Sequence, residues 1–221
     1  MFTQSEENYL KAIFHLQQEM SDGVSTSRLS ELLNTKAASV TEMIKKLADK
    51  NLVNYKKYYG VQLTSLGKKQ ALSVVRKHRL WESFLVERLN FKWDEVHEVA
   101  EQLEHISSTK LVEELDKFLG RPQYDPHGDP IPDANGNLPK ATKKRLSQLK
   151  EGSQAVCKGF NDNSSSFLKY LDKQGIGMDT SIEVLQIESF DESMTIKVDE
   201  KEISLSKTAT DHIYVEDQIR A

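Results

Sequence analysis

Cysteine and proline are scarce in this sequence of 221 residues, and long apolar runs are absent. The single cysteine, Cys157, excludes an intramolecular disulfide, and its apolar setting QAVCKGF favours a buried structural thiol over a ligand or a nucleophile. No apolar run approaches the roughly 20 residues that cross a bilayer. All five prolines fall within residues 120–139, so this segment is predicted to be irregular.

The amino-terminal residues, MFTQSEENYLKAI, are polar where a signal peptide would be basic and then apolar. They predict instead an amphipathic helix that Ser5 caps and that runs to about Met20. With 38% hydrophobic and 29% charged residues, the composition is that of a soluble globular chain. We therefore expect a cytoplasmic protein with no membrane-spanning segment.

Positive charge is concentrated in one block of the chain. Residues 28–79 contain twelve Lys or Arg against Glu31, Glu42 and Asp49, although the whole chain carries a formal net charge of −4. The remainder is correspondingly acidic. A basic block within an acidic protein indicates a polyanionic partner for that block alone, and the plainer alternative is that the charges serve solubility.

Within the basic block, the pattern STSRLSELLNTKAASVTEMIKKLADK predicts a helix-turn-helix. A short helix over residues 26–33 is followed by a polar turn at 34–36 and by a second helix over 38–50. Small hydroxyl residues begin the second helix and charged residues follow its outer side, which suits a recognition helix in the major groove. The side chains expected nearest to the bases are Ser39, Thr41 and Glu42.

A basic hairpin follows the second helix directly. Residues 54–64, NYKKYYGVQLT, alternate in character and turn around residues 58–60, which predicts a two-stranded wing. Lysines of both parts are expected to contact phosphates: Lys36, Lys45, Lys56 and Lys57. The order of these elements favours a winged DNA-binding domain, and the alternative is a helical protein-interaction module.

A stretch rich in Glu and His, DEVHEVAEQLEH, occupies residues 94–105. As a helix it has an apolar side and a polar stripe that carries His97, Glu101, Glu104 and His105. Imidazole and carboxylate hold divalent transition metals, so the stripe is a candidate for half of a metal site. His78 and Glu82, four residues apart on a preceding helix, could supply the other half. The alternative is a solvated helix face with ordinary surface pairs.

Apolar residues continue along that preceding helix beyond what one small winged domain could cover. Leu80, Phe84 and Leu85, together with the Glu- and His-rich helix and a further helix predicted over residues 107–119, indicate a dimer interface. A two-fold dimer would present its two recognition helices about one DNA turn apart, so a palindromic target is expected.

The last part of the chain carries no catalytic constellation. His127 lies in the proline-containing segment, where packing within a turn is expected more than ligation. From about residue 150, alternating patterns predict short strands with one intervening helix. Together these elements indicate a small β-barrel-like module.

Taken in order, these segments resemble the diphtheria toxin repressor family of metal-dependent transcriptional regulators along nearly the whole chain. The pieces that carry the resemblance are ENYLKAIF, SVTEMIKKL, LTSLGKK, RKHRLWESFL, VHEVAEQLEHI and PHGDPIP. The resemblance implies a mainly α fold with small β parts. It places a winged helix-turn-helix at residues 1–70, a helical metal-binding and dimerisation domain at 71–140, and an SH3/FeoA-like β-barrel at 150–221.

The same resemblance implies two metal sites. The primary site falls on Asn8, Glu101, Glu104 and His105. The second site falls on His78, Glu82 and His97, and His78 could bridge both metals. Iron-sensing relatives often have Cys where this chain has Glu101. Because every implied donor is O or N, Mn(II) is the expected cofactor and Fe(II) the next.

Four positions depart from the family pattern. Asn8 stands where the family usually has Asp or Met, and Lys11 where some manganese sensors have a second amino-terminal carboxylate. Asn163 and Ser166 lie roughly where some iron-sensing relatives supply ligands from the C-terminal module, and neither is a strong ligand. Asn brings no charge, so metal affinity at the primary site is expected to fall or water to fill the position.

The expected function is that of a repressor and not of an enzyme. The chain would bind palindromic operators as a homodimer when Mn(II) or Fe(II) is bound. One alternative is a winged-helix regulator whose metal switch has decayed, which Asn8 makes plausible. The other is a metallohydrolase, against which stands the absence of a nucleophile or general base apart from the ligands themselves.

Overall fold

The computed structural model describes residues 2–19, 23–56, 59–139 and 143–218. The predicted mainly α fold with small β parts is confirmed. The helices are α1 (Gln4–Glu19), α2 (Thr26–Leu32), α3 (Ala37–Asp49), α4 (Ser65–Leu89), α5 (His97–Leu103), α6 (Thr109–Phe118), α7 (Ser165–Gln174) and α8 (Lys207–Asp211). The strands are β1 (Val53–Lys56), β2 (Gly60–Leu63), β3 (Lys144–Arg145), β4 (Gln154–Phe160), β5 (Ser181–Ile187), β6 (Met194–Val198), β7 (Lys201–Leu205) and β8 (Ile213–Asp217). Over the described ranges, no helix has the length and apolar character needed to cross a bilayer.

The cap of α1 lies two residues before the predicted one, Ser5. The Thr3 hydroxyl accepts a hydrogen bond from the Glu6 amide (3.3 Å), and the Glu6 carboxylate accepts one from the Thr3 amide (3.1 Å). This reciprocal pair satisfies two amides that helical hydrogen bonding leaves free, so Thr3 caps the helix better than Ser5 could. Because Glu6 takes part in the cap, its carboxylate is held close to the start of the helix.

Helices α2 and α3 form the predicted helix-turn-helix on a core that α1 shares. Leu29 of α2 and Val40 and Ile44 of α3 are buried together with Leu10 and Ile13 of α1. Burying one such aliphatic side chain contributes about 1.5–3 kcal/mol. The apolar spacing therefore fixes which face of α3 points inward and leaves its polar face outward.

The wing is the predicted hairpin of β1 and β2, which pair antiparallel from Val53 with Leu63 to Lys56 with Gly60. Val24 adds an antiparallel bridge to Val61. Gly60 has a φ of +81°, and a Cβ there would lie 2.6 Å from the Val24 carbonyl oxygen. A side chain at this position would therefore clash with the backbone that the wing packs against.

Helix α4 joins the winged domain to the metal-ligand candidates. Its cap is Thr64, whose hydroxyl accepts a hydrogen bond from the Gly67 amide (3.0 Å). Its first half buries Leu72 in the winged core, and its second half buries Leu80 and Leu85 against the middle helices. One continuous helix therefore connects the DNA-binding region with the acidic middle region.

Helix α5 is shorter than predicted, covering His97–Leu103 instead of residues 94–105. The Asp94 carboxylate lies 3.3 Å from the Ser165 hydroxyl and 3.3 Å from the Lys169 ammonium of the C-terminal region. Asp94, where the sequence pattern places the start of the helix, thus takes part in tertiary contacts. Glu104 and His105 follow the helix in a turn. The predicted single stripe is therefore divided between the helix and this turn.

Residues 120–139 are irregular, as predicted, and pack against α4. Arg79 donates a hydrogen bond to the Pro130 carbonyl. The Asp125 carboxylate accepts one from the His127 amide (2.8 Å), which forms a tight turn. Asp125 and His127 become buried as a result.

The C-terminal strands form one antiparallel sheet in the order β3-β8-β4-β5-β6-β7, and α7 connects β4 to β5. Its core is separate from those of the first two regions and includes Cys157, Phe160 and Leu171. The six strands do not close into the barrel that the sequence predicts, because among the described residues β7 pairs only with β6. The pairing register shifts within β4, between Cys157 and Gly159, and within β5, between Val184 and Gln186.

Candidate metal centre and DNA-binding surface

His78, Glu82 and His97 bring three donor atoms together, and we name them the convergent group. Glu82 Oε1 lies 3.0 Å from His78 Nε2 and 3.4 Å from His97 Nδ1, and the two nitrogens are 3.2 Å apart. Ligand atoms bonded at about 2.1 Å to one ion are separated by about 3.0–3.4 Å in octahedral or tetrahedral geometry. The donor set therefore fits a divalent cation in both chemistry and spacing.

Two elements position the convergent group. His78 and Glu82 lie one turn apart on α4 and are buried, so their side chains share one face of a rigid helix. His97 is the first residue of α5 and is 54% exposed. The cavity beside the group has a volume of about 450 Å³, and its lining includes Asn8 and Asn163. The group is thus fixed on one side and open on the other.

Charge within the group is balanced by its own side chains. Burial would lower the pKa of the His78 imidazole, but the Glu82 and Glu104 carboxylates raise it to about 9. Burial would raise the pKa of Glu82, but His78 and the other neighbouring imidazoles hold it well below its usual range. Metal ligation needs neutral imidazole, so a bound cation would replace protons here.

A second group, which we name the linker group, consists of Glu82, Asp125 and His127. His127 Nδ1 lies 3.8 Å from Glu82 Oε2 and 3.9 Å from Asp125 Oδ1. His127 Nε2 is hydrogen-bonded to the Trp93 carbonyl (2.7 Å). His127 Nδ1 and Asp125 Oδ2 are buried and have no hydrogen-bond partner within the described part of the chain. The two oxygens of Glu82 thus face the two groups separately.

The linker group was not predicted as a ligand set from the sequence. His127 was expected to pack within its turn, and its burial is consistent with that reading as well. Burial, then the carboxylates of Asp129 and Glu82, raise the pKa of Asp125 to about 8, so this carboxyl lacks sufficient positive charge beside it. The only indication of the linker group along the chain was the segment PHGDP, which contains His127. Nothing in the spacing of this segment connects it with α4.

The residues implied for the primary site lie in one region but turn toward α1. Glu104 is buried, with Oε2 2.6 Å from His78 Nδ1, and Lys11 Nζ lies 2.8 Å from its carboxylate. Lys11 Nζ is also 3.3 Å from Glu101 Oε1. His105 Nδ1 is 2.6 Å from Glu7 Oε2. We name Glu101, Glu104 and His105 the α1-paired group.

Asn8, the fourth residue implied for the primary site, lines the cavity together with His78, His97 and Glu101. Glu7, its neighbour, was not considered as a site residue, although it faces His105 and lies 3.4 Å from Lys77 Nζ. An acidic residue beside Asn8 was visible in the sequence. Which of the two adjacent side chains faces the middle helices depends on how α1 packs.

The predicted base-contacting and phosphate-contacting residues are mostly exposed on the winged domain. Lys36, Ser39, Glu42 and Lys45 lie on the outer face at the start and middle of α3, and Lys56 lies on β1.

The two remaining residues that were predicted to contact DNA are Thr41 and Lys57. Thr41 is half-buried, and its hydroxyl donates to the Ala37 carbonyl of its own helix (2.9 Å). Lys57 lies outside the described residues. Lys46 and Lys50, also on the α3 side, lie 3.1 Å and 2.6 Å from the buried Glu6 carboxylate. These two lysines therefore serve the contact between α1 and α3.

An apolar surface lies on the middle helices. Trp81 and Phe84 of α4 pack with Leu115 and Leu119 of the α6 region. Phe118 is 61% exposed beside them. Its ring lies 6.2 Å from that of Phe84. Phe84 and the α6 region, both predicted at the dimer interface, lie on this surface, whereas Leu80 and Leu85 are buried within the chain itself and do not.

Comparison with known proteins finds three family models that match successive parts of the chain. Residues 1–61 match the domain described as iron dependent repressor, N-terminal DNA binding domain. Residues 64–133 match iron dependent repressor, metal binding and dimerisation domain, and residues 144–217 match the FeoA domain.

Individual relatives agree with this match. A solved structure described as a manganese-dependent transcriptional repressor complex with manganese is 36% identical, with a TM-score of 0.87 over 96% of this chain and 100% of that one. The iron-dependent repressor IdeR of Mycobacterium leprae is 31% identical over 156 residues, covering 66% of each protein. A probable metal transport system membrane protein of Chlamydia trachomatis is 36% identical over 138 residues, or 60% of this chain and only 30% of that protein.

The order of the three matched domains is the order that the sequence segments predict, and the resemblance is confirmed. Repressors of this kind are DNA-binding regulators and not enzymes. The chain belongs to the iron-dependent, or diphtheria toxin, repressor family of metal-dependent transcriptional regulators.

Proposed function

We propose that this chain is a cytoplasmic, homodimeric repressor that binds palindromic operator DNA when Mn(II), or next Fe(II), is bound. The observation that carries the proposal is the position of the convergent group on α4. This helix is packed into the winged core at its first half and carries His78 and Glu82 on its second half. Metal ligation and the orientation of the DNA-binding domain therefore depend on one rigid element.

The donor chemistry supports manganese. Nitrogen and carboxylate oxygen form both the convergent group and the linker group, and such donors suit hard or borderline divalent ions. The only thiol, Cys157, is buried in the C-terminal core, and burial raises its pKa to about 11. Fe(II) accepts the same donors, and the mycobacterial relative is described as an iron-dependent repressor.

The candidate ligands are His78, Glu82 and His97, with Asn8, Glu101, Glu104 and His105 as the primary set implied by the family. A bound divalent ion would supply positive charge that joins the face of α4 to α5. The chain's own contacts extend that junction to α1 through His105 and Glu7, and from α1 to α3 through Glu6. These contacts connect the acidic middle region with the recognition helix.

The energetic requirement for gating is modest. The closed arrangement gains only the difference between its metal affinity and that of the open arrangement. A hundredfold difference corresponds to about 2.7 kcal/mol per site. Glu101 and Glu104 repel each other, and the Lys11 ammonium beside both carboxylates already offsets part of that repulsion.

DNA contact is assigned to the outer face of α3 and to the wing. Ser39, Thr41 and Glu42 are proposed nearest to the bases, and Lys36, Lys45, Lys56 and Lys57 at phosphates. Such phosphate contacts release counterions, so affinity should fall steeply as salt concentration rises. The apolar surface around Phe84 and Phe118 is the proposed two-fold interface, which would set the spacing of the two recognition helices.

The direct test is capture of sheared genomic DNA by chelator-stripped protein at one salt concentration, with and without Mn(II). Enrichment of a few palindromic fragments only with Mn(II) is expected. Equal enrichment in both conditions would retain DNA binding and remove the metal switch. No enrichment in either condition would overturn the proposed function.

A further inference from the structure

Lys11 of α1 reaches into the acidic residues at the end of α5. Its side chain is 13% exposed, and its Nζ lies 2.8 Å from both oxygens of the fully buried Glu104 carboxylate. Glu101 Oε1 is 3.3 Å away on the other side. Lys11 therefore places one positive charge between the two carboxylates that belong to the implied primary site.

A metal ion could not join these carboxylates while Lys11 stays there. An ion bound to Glu101 and Glu104 would lie about 2.1 Å from their oxygens. The ammonium nitrogen already lies within hydrogen-bond distance of the same oxygens, so the two positions overlap. Lys is a compact, strongly hydrated cation on a flexible stem, which allows it to occupy such a position and also to leave it.

We infer that the Lys11 ammonium fills the cation position between Glu101 and Glu104 when no metal is bound, so that a metal at this site must displace a tethered cation. The inference rests on the proposed function and adds a regulatory step to it. Two consequences follow. Helix α1 stays attached to the middle region without metal, and the metal concentration needed to occupy the primary site is raised.

The acidic residues of α1 near Lys11 have ionic partners of their own. Lys11 therefore serves as the cation for Glu101 and Glu104. Glu7 lies 3.4 Å from Lys77 Nζ and 2.6 Å from His105 Nδ1. Glu6 is held by two lysines of the α3 side. Lys77 is thus a similarly buried lysine of the same region that pairs with an acid outside the α1-paired group, and it provides a matched control.

The first experiment is calorimetric titration of Mn(II) into the chelator-stripped full chain carrying Lys11→Met, Lys11→Arg or Lys77→Met. Lys11→Met should bind Mn(II) at the α1-paired group about tenfold more tightly, equivalent to roughly 1.4 kcal/mol. Lys11→Arg keeps a cation and should resemble the wild type, as should Lys77→Met. Circular dichroism establishes that each variant is folded.

The second experiment leaves the sequence unchanged. Brief acetylation of the wild-type chain, mapped by mass spectrometry, should label Lys11 several times faster with saturating Mn(II) than without it, while labelling of Lys77 stays constant. Equal labelling of Lys11 in both conditions, or equal Mn(II) affinity of Lys11→Met and the wild type, would overturn the inference alone. Absence of Mn(II) binding to every variant would overturn the proposed function and the inference with it.

Discussion

The convergent group and the α1-paired group have nearly the same composition but different surroundings. In the convergent group, the donors of His78, Glu82 and His97 face one another at 3.0–3.4 Å. In the α1-paired group, Glu104 faces Lys11 and His78, and His105 faces Glu7. The carboxylate of the convergent group is thus paired with imidazoles, which are themselves metal ligands, whereas Glu104 of the α1-paired group is paired with a lysine ammonium, which is not.

The difference has a simple electrostatic origin. A carboxylate that already has an ammonium within 3 Å gives up that interaction when a metal replaces it, so only the difference in free energy favours the metal. The convergent group has imidazole protons as counter-charges, which a metal displaces without having to move a tethered ammonium, and because the pKa of His78 is about 9 this displacement becomes easier as the pH rises. We therefore expect the first metal to bind at the convergent group.

The largest expected effect comes from removing the carboxylate that both the convergent group and the linker group share. Glu82→Gln should abolish the Mn(II)-dependent gain in operator affinity, a loss of about a hundredfold if gating supplies about 2.7 kcal/mol. Fluorescence anisotropy with labelled operator measures it. Glu87→Gln, an exposed change on the same helix, should keep the full gain. Retention of the gain by Glu82→Gln would show that the α1-paired group alone gates DNA binding.

A smaller loss is expected in the linker group. His127→Gln should weaken Mn(II) binding about tenfold, because His127 either ligates or orients Glu82. Calorimetry measures the affinity, and His212→Gln in the C-terminal region is the matched histidine control. An affinity equal to that of the wild type would leave His127 with only the packing role that the sequence predicts.

The ion pairs of Glu6, at the start of α1, lie away from the convergent group and the α1-paired group and can be tested separately. Burial would raise the pKa of Glu6, but hydrogen bonds from Lys50, the Thr3 amide and Lys46 lower it to about 2. The stabilisation from ionised Glu6 is therefore complete above about pH 4.5 and is lost as the pH falls toward 2.

The corresponding variant is Glu6→Gln, which should lower the free energy of unfolding by about 1 kcal/mol at pH 6, since both lysines are half exposed to solvent. Urea titrations between pH 6 and 3 should show the two proteins converging as the pH falls. A difference that does not change with pH would mean that Glu6 acts through packing and not through its charge.

The smallest effect separates DNA contact from gating. Lys45→Ala should weaken DNA binding about threefold on operator and non-operator sequences alike, and should reduce the slope of log affinity against log salt by about 1. Anisotropy at several salt concentrations gives both values. A loss confined to the operator would assign Lys45 to base recognition instead.

Local patterns were sufficient for much of the architecture. The helix-turn-helix, the wing, the long helix after Thr64 and the C-terminal strands follow from apolar spacing and capping residues, which act within a few residues of the chain. His78 and Glu82 face one side because they are four residues apart on α4. The pairing of Asp94 with the C-terminal region, at the predicted start of α5, depends on a contact between distant segments and gave no local signal.

The sequence by itself determined the elements, the basic winged region and the supply of histidine and carboxylate ligands. Only the tertiary structure decided which donors face each other. Lys11 and Glu104 are 93 residues apart, and the oxygens of Glu82 divide between α5 and the proline-rich linker through packing that brings three segments together. Charge pairs are strong only at contact distance in a partly buried setting, so no spacing along the chain could have specified these partners.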